Sequence, residues 1–184
     1  MKRICIIAAA LFWGLMPSAF GQGFSVSSNI LELLNMGCMG IEAGIPAGRH
    51  LSVSASVRYN PWTVEFGEGA AFDKKRGFSA GARYWPWHIN SGWWLGAGGR
   101  LEEYSRSPLK ATLTEEGQAF GATVSAGYSW MLHPHFNIDF GAGAWGGIAR
   151  YTSYECSLCG SVVARGRKRF LRPGDLRVSL VYVF

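Results

Sequence analysis

The stretch Leu51-Ser52-Val53-Ser54-Ala55-Ser56-Val57-Arg58-Tyr59-Asn60 changes character at every residue. Leu51, Val53, Ala55, Val57 and Tyr59 fall on one side, and Ser52, Ser54, Ser56, Arg58 and Asn60 on the other. Period two is the repeat of a β-strand, so this is a strand with one apolar and one polar face. The pattern returns in Phe78-Ser79-Ala80-Gly81-Ala82-Arg83-Tyr84-Trp85, and again from Phe120 to Trp130, where Phe, Ala, Val and Tyr alternate with Gly, Thr and Ser. Less regular copies run over 24–34, 39–45, 93–101, 136–145 and 176–184, which makes eight strands. Each is close to the roughly 9 to 11 residues that a tilted strand needs to cross a bilayer.

Composition narrows the class. The chain has 184 residues, of which 48% are hydrophobic and only 16% charged, against about 25% charged in soluble proteins. Its 25 glycines are about twice the usual share, and eleven Phe, eight Trp and seven Tyr exclude a disordered coil. Lys2 and Arg3, an apolar run from Ile4 to Met16 and the small-residue site around Ala19 and Gly21 follow the order of a secretory signal peptide. Cys5 lies inside the apolar run, so no lipid-anchored amino terminus is indicated. The expected division is therefore a leader over 1–21 and a single β-barrel domain over 22–184. Beyond the leader no run of about 18 apolar residues occurs, which argues against helical spans. Without Lys2 and Arg3, 16 basic face 12 acidic side chains, too small an excess to imply nucleic acid.

Alternation alone also fits a soluble sandwich. Three features favour an outer-membrane barrel. Aromatics gather in two groups, Trp85, Trp87, Trp93, Trp94, Trp130, Tyr182 and Phe184 near one predicted end and Tyr59, Trp62 and Trp145 near the other, as interfacial girdles require. Short connections at 46–50, 88–92 and 133–135 alternate with longer ones at 61–77, 102–117 and 150–174, the asymmetry of periplasmic turns and outer loops. The last strand, with Leu176, Val178, Leu180, Tyr182 and Phe184 on one face, resembles the closing strand that barrel-assembly machinery recognises. The expectation is an all-β, up-and-down antiparallel barrel of eight strands in the cell outer membrane.

With the apolar faces toward lipid, Glu42, Arg58, Arg83, Arg100, Asp139, Asp175 and Arg177 point into the lumen. An eight-stranded barrel is filled by side chains, and buried charges need partners, so this set is expected to be an ion-paired plug. Its rival is a narrow ion pathway, which needs an unfilled lumen. Cys156-Ser157-Leu158-Cys159 suits a redox pair, half of a zinc site or a small disulfide. With no second such motif and no βαβ pattern, a disulfide in an exported chain is expected, and Cys38 is left over. The histidines His50, His88, His133 and His135 sit in or beside the predicted short turns, away from where a lipid-remodelling barrel needs its catalytic histidine. No catalytic, metal or cofactor site is expected. The last long connection carries Arg150, Arg165, Arg167, Lys168, Arg169 and Arg172 against Glu155, a basic surface suited to lipopolysaccharide phosphates or an acidic partner, or simply a solvated loop.

Tyr59-Asn60-Pro61-Trp62, Arg83-Tyr84-Trp85, Gly127-Tyr128-Ser129-Trp130, Tyr154-Glu155-Cys156 with Cys159-Gly160, and Val178-Ser179-Leu180-Val181-Tyr182 occur in this order along the chain. In these the chain resembles small outer-membrane barrels of Bacteroidota catalogued as domain of unknown function 3575. It departs from them at Gly174-Asp175, where Thr-Lys would be expected, and at Cys38. The resemblance implies an outer-membrane location, no established enzyme activity and frequent association with fimbrial loci. The function expected is thus non-enzymatic, a structural or surface-interaction role through the outer loops toward lipopolysaccharide or a fimbrial or other surface protein. A lipid-modifying barrel enzyme and a narrow channel are the alternatives.

Overall fold

The computed structural model describes residues 23–34, 37–66, 69–107, 114–155, 161–173 and 176–184. The segment 1–21 expected as a leader, Cys156 and Cys159 expected as a disulfide, and Asp175 lie outside them. The elements are β1 (Ser25–Asn29), α1 (Ile30–Leu34), β2 (Met39–Pro46), β3 (Leu51–Asn60), β4 (Thr63–Phe66), β5 (Gly69–Tyr84), β6 (Gly92–Ser107), β7 (Thr114–His133), β8 (Phe136–Tyr154), β9 (Val162–Pro173) and β10 (Arg177–Val183). Every pairing is antiparallel, and β1, β2, β3, β5, β6, β7 and β8 follow one another as a meander. Strand β10 closes the ring, pairing with β1 (Ser27 opposite Val181) and with β8 (Asp139 opposite Ser179). The result is a closed eight-stranded antiparallel barrel. No helix among the described residues is long and apolar enough to cross a membrane.

The alternation read from the sequence sorts the two faces. Val53, Val57, Phe78, Leu95, Leu101, Phe120, Val124, Phe140 and Leu180 are exposed on the outside, while Ser52, Ser56, Ser129, Asn137, Asp139 and Ser179 are buried inside. This reverses a water-soluble domain. Each large outward side chain gains roughly 1.5 to 3 kcal/mol on full removal from water, so the outer face suits an apolar surround.

Three segments expected as loops are largely strand. Strands β5 to β8 run 16, 16, 20 and 19 residues, well past the length of a bilayer crossing. Strand β9 continues outward along β8, from Ala144 opposite Pro173 to Tyr154 opposite Val162. Period two persists in these extensions, but the outward positions become Arg76, Glu103, Gln118 and Arg150, so an apolar pattern marks only their lower halves. The expected strand over 24–34 is also shorter. Asn29 Oδ1 accepts hydrogen bonds from the amides of Leu31 at 3.2 Å and Val178 at 3.1 Å, ending β1 and capping the single turn α1.

Three expected girdle members are lumen residues instead. Trp85 is 1%, Trp94 2% and Trp145 5% exposed. Trp93 and Trp94 are adjacent in a strand and cannot both face lipid. Trp93 stays outside, edge-on to Tyr128 at 5.3 Å. Trp85 lies past the end of β5, and its indole N–H donates to Ser52 Oγ at 2.9 Å. Trp94 fills the space left by Gly127 and Gly141, where a Cβ would come within 2.5 and 2.8 Å of its ring. Trp145 packs edge-on to Phe170 at 4.6 Å. Small inward residues leave a narrow lumen with room for indoles, and packing claims it. Trp87, Trp130, Tyr182 and Phe184 are exposed at the short-turn end, and Tyr59 and Trp62 at the other.

Candidate functional site

The interior is built in layers. Near the short turns, Glu42 on β2 binds Arg83 on β5 and accepts from Arg177 Nη1 on β10 at 2.9 Å, while Arg83 Nη1 donates to Asp139 Oδ2 on β8 at 3.1 Å. The Arg83 guanidinium lies over the Trp94 ring, 4.8 Å from its centroid. Above this comes a polar gap with a Ser56–Ser79 hydroxyl contact at 2.6 Å and a cavity of about 50 Å³. Arg100 stands over it, bound to Glu102 and stacked on the Trp145 ring at 4.3 Å. Arg58 reaches sideways to Glu32 of α1 at 2.8 Å. Of the seven residues expected in the lumen, Glu42, Arg58, Arg83, Arg100, Asp139 and Arg177 are at inward positions, and Asp175 is outside the described residues.

Sequence reading missed the partners. Glu102 follows Arg100 by two residues and so shares its face, a signal present in the parity but masked by reading 102–117 as a loop. Glu32 was hidden by the unexpected turn of helix.

The outward extension carries a second polar set on its inner side. Asp73 accepts from Lys75 Nζ and Arg106 Nε, each at 2.8 Å. Tyr104 donates its hydroxyl to Glu115 Oε1 at 2.8 Å, and Lys168 Nζ reaches the same carboxylate at 2.6 Å. Burial and the Glu115 hydrogen bond push the Tyr104 hydroxyl up to about 12. Burial works against ionisation of Glu115, but hydrogen bonds from Lys168 and Tyr104 outweigh it and hold the carboxyl below its ordinary value. Asp73 is held low in the same way by Lys75 and Arg106.

The expected basic loop is therefore a strand with two faces. Lys168 and Arg172 point inward, opposite Ala149 and Trp145, while Arg165, Arg167 and Arg169 point outward, joined by Arg150 of β8 opposite Arg167. Arg150 and Arg167 line an outer groove of about 690 Å³, together with Arg76, Glu103 and the apolar Phe78, Leu101, Phe120 and Ile148.

The histidines lie at the short-turn end. His50 Nδ1 lies 2.9 Å from the Trp85 carbonyl, and His135 Nδ1 2.8 Å from that of Val183. His133 and His135 neighbour each other at 5.9 Å between ring centroids. Among the described residues no group of three His, Cys, Asp or Glu side chains is placed to hold a metal, and Cys38 is a buried free cysteine.

A family model described as a protein of unknown function (DUF3575) matches residues 6–184. No curated protein matches the chain.

Proposed function

The chain belongs to the DUF3575 family, and from that and the barrel's geometry we propose that it is a non-enzymatic outer-membrane protein whose extension, β5 to β9, meets a surface component outside the cell. The observation that carries this reading is the division of each long strand. In β7, outward Val124, Ala122 and Phe120 give way to Gln118 and Glu116, and in β8, outward Ala144 and Ile148 give way to Arg150 and Thr152. Apolar halves suit a bilayer and charged halves suit water. The basic start at Lys2 and Arg3, followed by the apolar run to Met16, supports export, and the short-turn end would face the periplasm.

Support for a structural rather than catalytic role comes from the lumen, where the ionisable groups near the short turns are engaged with one another, and from the histidines, which bond backbone carbonyls or sit in turns. The outward basic face favours an anionic contact, either lipopolysaccharide or an acidic surface protein such as a fimbrial subunit.

Heat-dependent gel migration of the outer-membrane fraction tests the location and the barrel together. A chain absent from that fraction, or running identically with and without boiling, contradicts the reading. Replacing His50, His88, His133 and His135 by Ala should leave lipid A composition unchanged. An altered lipid profile would point to the enzyme class instead.

A further inference from the structure

The outer groove joins two surfaces that one kind of molecule can satisfy at once. Its apolar part is Phe78, Leu101, Phe120 and Ile148, consecutive neighbours across β5, β6, β7 and β8 and all exposed. Its polar border ends in Arg150 and Arg167, directly opposite each other in the β8–β9 ladder, with Arg165 and Arg169 two residues to either side of Arg167 on the same face. Like charges placed opposite in a sheet repel, and the outward faces of β8 and β9 carry no acidic residue among the described positions. On the same side, Glu103 of β6 accepts from Gln118 Nε2 at 3.0 Å and Glu116 of β7 from Ser105 Oγ at 3.1 Å, and both carboxylates keep their charge beside these neutral donors. Four outward guanidinium groups are thus gathered in excess over these two carboxylates, beside a surface that favours acyl chains.

We infer that this groove is a binding site for a phosphorylated glycolipid of the outer leaflet, of the lipid A class. Arg150 and Arg167 grip phosphate through paired N–H donors, and Arg165 and Arg169 supply further charge. The acyl chains lie along Phe78, Leu101, Phe120 and Ile148. The groove crosses from β5 to β9, roughly 20 Å at the usual strand spacing, and so accommodates several chains rather than the two of a phospholipid. The site lies on the outside of the barrel and makes no demand on the lumen. It rests on the outer-membrane reading, because only there does such a lipid occur.

The test uses the full chain, purified in mild detergent and examined by native mass spectrometry with three probes: bisphosphorylated lipid A, its phosphate-free form and phosphatidylglycerol. Bisphosphorylated lipid A should be retained in preference to both others. Arg150→Gln with Arg167→Gln should weaken its retention about tenfold or more, the scale of one lost charge-assisted pair. Arg150→Lys with Arg167→Lys should fall between, keeping charge without the fork. Heat-dependent migration of each variant shows that the barrel has formed. Equal retention of the phosphorylated and phosphate-free lipids, wild-type retention by the double Gln variant, or tight binding of polyglutamate without lipid preference would overturn the site. The location is read separately, by labelling Ser161→Cys in intact cells with an impermeant maleimide, Cys156 and Cys159 being replaced by Ser. Failure of that labelling sinks the outer-membrane reading, whatever the lipid measurement gives.

Discussion

Glu42 serves two guanidinium groups at once, those of Arg83 and Arg177, so its loss takes a shared carboxylate from two buried cations, of which Arg83 keeps Asp139. Glu42→Gln should destabilise the barrel by about 3 to 5 kcal/mol, the range for breaking a buried pair. The half-exposed Lys168–Glu115 contact is screened by solvent, and Glu115→Gln should cost about 1 kcal/mol or less. Urea midpoints of the folded, fast-migrating band compare the two, and equal effects would remove the distinction drawn between lumen and extension. Tyr104 gives a residue-level pH signature. Its folded pKa, about 12, lies above the unfolded value near 10, so its contribution to stability is complete below pH 10 and is lost as pH rises through 12. Ultraviolet titration should show a tyrosinate step near pH 12, and Tyr104→Phe should delete that step.

At the scale of single elements, the strand-to-helix junction hangs on Asn29. Asn29→Ala should cost about 1 kcal/mol through the lost cap, and more if the Val178 amide is left unsatisfied. Strand β9 pairs with β8, and on its other side no partner is found among the described residues, since β1 stops at Asn29. Its outward half should therefore exchange amide hydrogens faster than β8, and equal protection would mean that something covers that edge. What the sequence revealed here follows from parity. Ser52 to Asn60 announced an inward face without ambiguity, because small polar and large apolar residues alternate there. From Glu102 to Arg106 the alternation sets Glu102, Tyr104 and Arg106 against Glu103 and Ser105, polar on both sides, and hydropathy has nothing to report. A strand with water on one face and an ion-pair network on the other is legible only to someone who knows the ladder continues. Trp94 and Trp145 misled for a related reason. Position along a strand indicates depth in the membrane, whereas facing is settled by counting from a neighbour already assigned.

For the whole molecule, a filled interior has a functional consequence. The Arg83 and Arg100 layers, with Trp94 and Trp145 packed against them, leave a cavity of about 50 Å³ between. Purified protein in planar bilayers is accordingly expected to show no steady conductance, and discrete open levels would favour the channel class. Strands β5 to β8 pass from the short-turn end to the tip of the extension without a break in any of the four. A tensile load applied at that tip is therefore carried along covalent backbone to the short-turn end of the barrel, which under the proposed outer-membrane reading is held by the bilayer. The ladders between neighbours meet it in shear, many hydrogen bonds resisting together, rather than opening one by one. A surface fibre tethered there would pull on an anchor without a hinge.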